Sequence, residues 1–203
     1  MRRLFAQFVV LAVGAIALVG LDGVSTLLAA DHSDVVAVSD TATLSAMRAQ
    51  LADSRRELER ANQILEFATR YEIPADLSAQ IYDAAIAEGI PAPVGFQLVK
   101  VESRFQNSAR SSASAIGLTQ LRLVTARAYD PTVNASDLMN ADVNLRIGFR
   151  YLKDLMARFE QSIPLALEAY NKGPTFVSSE QELGNEVEGR YSKVVMGGVR
   201  KKG

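Results

Sequence analysis

Glu102 is the residue of this chain whose setting best suits acid–base chemistry. It follows the largely apolar string GFQLVKV and precedes a serine-rich stretch, residues 103–114. Because apolar surroundings remove water from a carboxylate, they favour its neutral form and raise its pKa. A proton is then available near neutral pH, as cleavage of a glycosidic bond requires. The alternative is a surface glutamate that pairs with Arg104 or Lys100 at a helix end.

The composition excludes several other kinds of catalytic site. Cysteine is absent and His32 is the single histidine, so thiol nucleophiles, disulfides, zinc sites built from cysteine and histidine, and a Ser-His-Asp triad are ruled out. Any chemistry must use carboxylates, hydroxyls, amides, lysine or arginine. We therefore expect no metal and no cofactor.

The N-terminal residues 1–30 are typical of an export segment. Arg2 and Arg3 precede the uncharged residues 4–21, and acidic residues follow them. This charge order places the N-terminus inside and the remainder outside. The apolar stretch is just long enough to span a bilayer, and the small residues after it form a weak cleavage site. A cleaved signal peptide and a retained membrane anchor are both open.

Two segments separate this region from the domain that follows. Residues 31–42 mix acidic and small residues without a sustained period, which predicts a linker. In residues 43–70 leucine recurs every seven positions, at Leu44, Leu51, Leu58 and Leu65. This pattern predicts an amphipathic, coiled-coil-like helix. Self-association and packing against the following domain are equally compatible with it.

Residues 71–198 are predicted to form a series of short helices. Proline and glycine signals place helices that begin near Pro74, Pro93 and Pro164, and Gly173 with Pro174 ends the last of these. Periodic apolar residues add a longer helix from about Ala141. No stretch alternates with period two long enough to build a sheet, so the predicted class is all-α. Residues 199–203 form a basic tail.

Short motifs follow one another within this predicted domain. They are ES at 102–103, SSASAIGLTQ at 111–120, NLRIGFRYL at 144–152 and AYNKGP at 169–174, with a tyrosine in GRYSKVV at 189–195. In this order they resemble the motifs of the soluble lytic transglycosylases, which cleave peptidoglycan. One such motif is weak evidence, but several in order at suitable spacing are specific. The resemblance implies a helical domain similar to goose-type lysozyme.

The resemblance also implies roles for individual residues. Glu102 is the catalytic acid and base, and Ser111 and Gln120 line the sugar site. Tyr170 and Asn171 lie opposite them and hold the glutamate and the substrate. Tyr191 is implied to face the same cleft. Asn144 and Gly148 belong to a motif whose implied role is structural. Departures from the family pattern occur at Ser114, Thr119, Asn140 and Lys172, where Gly, Met, Asp and a small residue are usual.

The resemblance implies a peptidoglycan lytic transglycosylase that cleaves the β-1,4 bond between N-acetylmuramic acid and N-acetylglucosamine. No Asp or Glu lies between Glu102 and Asp130, so the paired carboxylates of ordinary glycosidases are missing nearby. In these enzymes one glutamate suffices, because the sugar's own C6 hydroxyl attacks and leaves a 1,6-anhydromuramic end. Hydrolysis of the lysozyme type would need a second acid, for which the distant candidates are Asp130, Asp137, Asp142 and Glu168.

An alternative of another class is a catalytically silent, exported scaffold that binds glycan. The partner in either case is a peptidoglycan strand, and the expected location is the periplasmic side of the cell envelope, with anchoring in the inner membrane left open. Nucleic acid is not an expected partner, because 22 basic residues are balanced by 23 acidic ones and no excess remains for phosphates.

Overall fold

The computed structural model describes residues 32–187 and 189–200, with side chains from residue 43 to residue 199. The predicted signal or anchor, residues 1–30, lies outside the described residues. The chain divides into two compact units, residues 1–55 and 56–203. Within the described ranges, none of the helices is both long and apolar enough to cross a bilayer.

Helices dominate the described residues, which confirms the all-α class. They are α1 (His32–Tyr71), α2 (Ala75–Ala87), α3 (Ala92–Ser103), α4 (Leu123–Arg127), α5 (Ala141–Arg158), α6 (Ile163–Lys172), α7 (Pro174–Glu182) and α8 (Arg190–Arg200). Two short strands, β1 (Ala115–Ile116) and β2 (Leu121–Arg122), pair as an antiparallel hairpin. A single 3₁₀ turn, Asp137–Met139, precedes α5.

Two elements differ from the sequence-based expectation. The first helix begins at His32, so the predicted linker, residues 31–42, is helical from residue 32 onward. They contain neither glycine nor proline, and nothing in them stops a helix. The sequence does not predict α7, because Gly173 followed by Pro174 indicates the end of a helix. Gly173 does end α6, with a φ of 92°, but Pro174 occupies the first position of α7, where its missing N–H costs nothing.

The C-terminal part of α1, from residue 56, belongs to the second unit and packs within it through a face other than the leucine row. Ile64 and Phe67 are buried, and the ring of Phe67 stacks on that of Phe96 with centroids 4.1 Å apart. Leu58 and Leu65 of the same unit are exposed. In the first unit, Leu44 and Leu51 are exposed as well; self-association through residues 43–70 stays a prediction.

The helix α3 runs through the hydrophobic core. All six of its residues from Val94 to Val99 are buried, and the apolar side chains of Val94, Phe96, Leu98 and Val99 share one hydrophobic cluster with residues of α2, α5 and α8. A side chain near the C-terminal end of such a helix lies where the core meets the surface. This placement gives Glu102 its apolar surroundings.

Asn144 ties residues 104–122, the hairpin segment between α3 and α4, to α5. Its Oδ1 accepts hydrogen bonds from the backbone N–H and the hydroxyl of Thr119, at 2.8 and 2.7 Å. Its Nδ2 donates to the carbonyls of Ile116 and Leu138, at 2.9 and 3.0 Å. The side chain is fully buried, and every one of its hydrogen-bonding positions is used.

Gly148, one turn further along α5, provides space for the same segment. A Cβ at this position would collide with the side chain of Thr119. The threonine, found where the family pattern has methionine, fills this space and also bonds to Asn144. Asn144 and Gly148 therefore hold the hairpin segment in place against α5.

We expect Asn144→Asp to destabilise the fold by about 3 kcal/mol or more, because it replaces a buried donor to two carbonyls with a buried carboxylate oxygen. Urea unfolding at pH 7 measures this change. Asn140→Asp is the matched control, since Asn140 caps α5 through its side chain and aspartate caps a helix equally well. Its stability should stay within about 0.5 kcal/mol of the original protein. Equal losses of stability in the two variants would show that the hydrogen bonds of Asn144 contribute no more to the free energy of unfolding than the helix cap does.

Candidate active site

Glu102 lies in the last turn of α3, at the edge of a cleft of about 450 Å³. The helix ends after Ser103 because Arg104 and Phe105 adopt left-handed backbone conformations, with φ of 53° and 64°. The chain then turns into the segment that forms the facing wall. The carboxylate is therefore half-buried between the core and the cleft.

The cleft is lined by residues from α3, the hairpin segment, α4, α5 and α6. Its polar and aromatic lining side chains are Glu102, Ser111, Gln120, Arg122, Thr125, Tyr151, Tyr170, Asn171 and Lys172. Among the described residues, Glu102 is the sole carboxylate in this lining. The structure thus brings four of the predicted substrate-binding residues together with the predicted acid.

The acids considered as a second catalytic group lie elsewhere. Asp130 accepts hydrogen bonds from Thr132, and Asp137 accepts one from the backbone of Asn134. Asp142 lines a different cavity, and Glu168 is completely buried outside the cleft lining. None of the four faces Glu102 across the cleft.

Tyr191 is the residue that contacts the carboxylate directly. Its hydroxyl, at the start of α8, donates a hydrogen bond to Oε1 of Glu102. Burial raises the pKa of Glu102, and the hydrogen bond from Tyr191 offsets part of this effect. Burial and the nearby Glu102 carboxylate raise the pKa of Tyr191 itself, so its hydroxyl remains a donor.

Tyr170 uses its hydroxyl differently from the expected contact with the glutamate. The hydroxyl donates to the carbonyl oxygen of Thr119 at 2.8 Å, and the ring packs against Tyr151 with centroids 5.1 Å apart. Burial raises the pKa of Tyr170. Tyr170 therefore joins α6 to the hairpin segment and presents ring surface to the cleft, while Tyr191 holds Glu102. Asn171 follows it in the cleft lining.

Ser111 and Gln120 line the cleft, and their side chains also make hydrogen bonds within the hairpin segment. The hydroxyl oxygen of Ser111 accepts a hydrogen bond from the N–H of Ala115 at 3.1 Å. The side-chain amide of Gln120 donates to the carbonyls of Ala109 and Gly117, at 3.2 and 2.9 Å. Much of the donor capacity of Gln120 is thus used inside the protein, and its amide oxygen is the group left to face a ligand.

Ser114 occupies the position where the family pattern has glycine. Its φ is 62°, which is the conformation that glycine adopts without strain. The turn around it is closed by a hydrogen bond from its N–H to the carbonyl of Ser111 at 3.1 Å. The serine therefore keeps the turn that the usual glycine would form.

Several cleft residues were not identified from the sequence. Arg122 and Thr125 lie outside the motifs, and their types carry no distinctive signal. Tyr151 is different, because it lies seven residues after Asn144 within one motif and shares its helix face. Helical spacing from Asn144 could have identified it.

A larger cavity, of about 900 Å³, lies between the end of α1, α3 and α8. The basic residues in its lining are Arg70, Lys100, Arg104 and Lys193, and none of the residues that line it is acidic. Among the described residues it therefore has no carboxylate comparable to Glu102. In the described part of the chain, no three His, Cys, Asp or Glu residues are grouped so that they could hold a metal ion.

The family model and the relative found by comparison with known proteins agree in naming transglycosylases. The model of the transglycosylase SLT domain family matches residues 80–192, more than half of the chain. The peptidoglycan transglycosylase gp16 of Escherichia phage T7 is 28% identical over 124 residues, which cover 60% of this chain and 9% of the phage protein.

Two solved structures share the fold. An inactive mutant of the lytic transglycosylase Slt from Pseudomonas aeruginosa has a TM-score of 0.54 and 27% identity, over 60% of this chain and 23% of that one. The 70 kDa soluble lytic transglycosylase SLT70 from Escherichia coli has a TM-score of 0.54 and 22% identity, over 66% and 24% of the respective chains.

The chain thus spans less than a quarter of the length of each of these relatives. The family match nevertheless contains every residue of the cleft lining, from Glu102 to Pro174, and also Tyr191, which contacts Glu102 from outside that lining. The chain belongs to the transglycosylase SLT domain family.

Proposed function

We propose that this chain is a peptidoglycan lytic transglycosylase in which Glu102 acts first as acid and then as base. One observation carries the proposal: the cleft lining contains a single carboxylate among the described residues, and burial raises its pKa. A protonated carboxyl in a polar cleft is suited to protonating the oxygen of a glycosidic bond. The similarity to peptidoglycan transglycosylases supports glycan as the substrate.

The proposed reaction proceeds in two steps. Glu102 donates its proton to the oxygen that links N-acetylmuramic acid to N-acetylglucosamine, and the bond from that oxygen to C1 breaks. The ionised Glu102 then accepts the proton of the muramic C6 hydroxyl while the hydroxyl oxygen bonds to C1. A 1,6-anhydro ring closes, the N-acetylglucosamine end leaves as an alcohol, and Glu102 is again protonated.

The intramolecular nucleophile explains how one carboxylate can suffice. A hydroxyl on the reacting sugar is already positioned, and such tethering replaces the second carboxylate and the bound water of ordinary glycosidases. Tyr191 supports the first step, because its hydrogen bond stabilises the carboxylate that this proton transfer leaves behind.

Hydrolysis of the lysozyme type is the second candidate. It uses the same protonation by Glu102, but water attacks in place of the C6 hydroxyl. Asp130, Asp137, Asp142 and Glu168 all lie outside the cleft lining, which disfavours an arrangement with two carboxylates. A silent glycan-binding scaffold is less consistent still, since binding alone does not need an acid with a raised pKa.

We also propose that the chain acts in the cell envelope, on the periplasmic side of the inner membrane. Residues 1–30 have the charge order and apolar length of an export segment, and peptidoglycan lies outside the inner membrane. The weak cleavage site favours retention of this segment as an anchor.

The composition of the products tests the reaction. Purified peptidoglycan digested by the chain should yield 1,6-anhydromuramic ends, which mass spectrometry distinguishes because they are one water lighter than reducing ends. Glu102→Gln should keep the fold and lower turnover by about 10²–10⁴-fold or more, since an amide neither donates nor accepts the proton. Reducing ends that carry oxygen from labelled water would establish hydrolysis, and turnover by Glu102→Gln within a few-fold of the original would remove Glu102 from the mechanism.

The pH dependence tests the environment of Glu102. Because the first step needs the protonated acid and burial raises its pKa, kcat/KM should fall as pH rises through that raised pKa. In Tyr191→Phe the carboxylate loses a stabilising hydrogen bond, so its pKa rises further and this alkaline limb moves to higher pH while the rate falls. Tyr151→Phe is the control, a cleft tyrosine that makes no hydrogen bond to Glu102. A limb that stays in place in Tyr191→Phe would contradict the role of the hydrogen bond.

The location is tested by cell fractionation and sequencing of the N-terminus of the recovered protein. An anchored chain should sediment with membranes and retain residues 1–30. A soluble form that begins near Asp31 would contradict the anchor. A full-length cytoplasmic form would contradict the envelope assignment.

A further inference from the structure

Glu168 is a buried carboxylate that the proposed reaction does not use. Its side chain is fully buried in α6 and does not line the cleft. Its Oε1 accepts a hydrogen bond from the N–H of Ser192 at 2.8 Å, and its Oε2 lies 3.1 Å from Nζ of Lys172. A buried carboxylate is costly unless it is paired and hydrogen-bonded, so these two contacts define its role.

The first contact holds the beginning of α8. Ser192 lies in the first turn of this helix, where backbone N–H groups have no acceptor within the helix. A carboxylate is a favourable acceptor there, because its charge also interacts with the positive end of the helix dipole. Tyr191 is the preceding residue in that turn, and it is the donor to Glu102.

The chain just before α8 lies directly on the carboxylate. A Cβ at Gly189 would collide with both oxygens of Glu168. Glycine at this position therefore permits a close approach of the backbone to the side chain. The hydroxyl of Ser192 donates to the carbonyl of Gly189 at 3.1 Å and closes the same turn.

The second contact keeps Glu168 ionised. Burial alone would raise the pKa of Glu168, but the N–H of Ser192 and the ammonium of Lys172 outweigh it and lower the pKa. Lys172 lies one turn further along α6 and reaches the cleft, with 39% of its side chain exposed. The lysine that departs from the family pattern thus has a defined partner.

We propose that Glu168 is a positioning residue for Glu102, which it orients through the first turn of α8 and Tyr191. The chain of contacts runs from the Glu168 carboxylate to the N–H of Ser192, along the backbone to Tyr191, and across to Oε1 of Glu102. Each step in this series is either a hydrogen bond to a carboxylate oxygen or a covalent connection along the backbone. The proposal rests on the proposed function for the catalytic role of Glu102, but the coupling between the two glutamates can be measured without turnover.

The test is an NMR titration of the Glu102 carboxyl carbon in the full chain, assigned by its loss in Glu102→Gln. Glu168→Ala removes the acceptor that holds α8, so the hydrogen bond from Tyr191 weakens and the titration midpoint moves to higher pH, as in Tyr191→Phe. The double variant should show no further shift beyond Tyr191→Phe alone. In kinetics, Glu168→Ala should lower kcat by about tenfold or more and leave KM within about twofold, since Glu168 does not face the substrate.

Glu168→Gln is the conservative variant, because its amide oxygen can still accept the N–H of Ser192. It should keep the midpoint of Glu102 near that of the original protein and restore most of kcat. Gly189→Ala places a methyl group against the Glu168 carboxylate and so disturbs its contact with Ser192. If Glu168→Ala does not fold, Gly189→Ala is measured in its place. It should shift the midpoint in the same direction.

Two results would overturn the proposal. In the first, folded Glu168→Ala loses thermal stability but keeps both the Glu102 midpoint and kcat, which is the behaviour of a merely structural residue. In the second, the shifts from Glu168→Ala and Tyr191→Phe add independently. Absence of turnover by the original protein would instead overturn the proposed function, and the titration would still decide the coupling.

Discussion

The hydrogen bond from Tyr191 to Glu102 is the interaction around which this molecule is arranged. It joins α8 to α3 across 89 residues of sequence, and it does so at the edge of the core, where a carboxylate has lost much of its water. The burial of α3 from Val94 to Val99 fixes one end of this contact. The other end is fixed by the first turn of α8. A small rotation of either helix would separate the Tyr191 hydroxyl from Glu102, for which the described residues provide no second hydrogen-bond donor.

The opposite wall of the cleft depends on a second polar centre, the buried amide of Asn144. Four hydrogen bonds leave this side chain, and they reach the hairpin segment and the turn before α5. Tyr170 closes the wall from α6 through the carbonyl of Thr119. The residues that face the cleft are therefore held by fully satisfied buried groups, which is the arrangement that fixes a loop most firmly.

The two glutamates near α8 show how the fold assigns different tasks to one residue type. Among the described residues, Glu102 contacts one hydrogen-bond donor and no cation, so burial dominates and its pKa rises. Glu168 is more deeply buried, but a backbone N–H and Lys172 lower its pKa. In the proposed reaction Glu102 supplies the proton, whereas Glu168 takes no part in it and accepts a hydrogen bond from the first turn of α8.

The sequence by itself determined the helical class, the helix that carries Glu102 and the segments that line the cleft. These properties are local: the apolar run before Glu102 predicts both a buried helix and a desolvated carboxylate, and the motifs carry their own spacing. The tertiary structure alone decided which tyrosine binds Glu102, whether a second acid faces it and what Glu168 contacts. Tyr170 and Tyr191 are equivalent as residue types, and only the packing of α6 and α8 gives one the carbonyl of Thr119 and the other the carboxylate. Contacts between groups so far apart in the chain depend on how whole helices pack, and no local pattern of residues encodes that geometry.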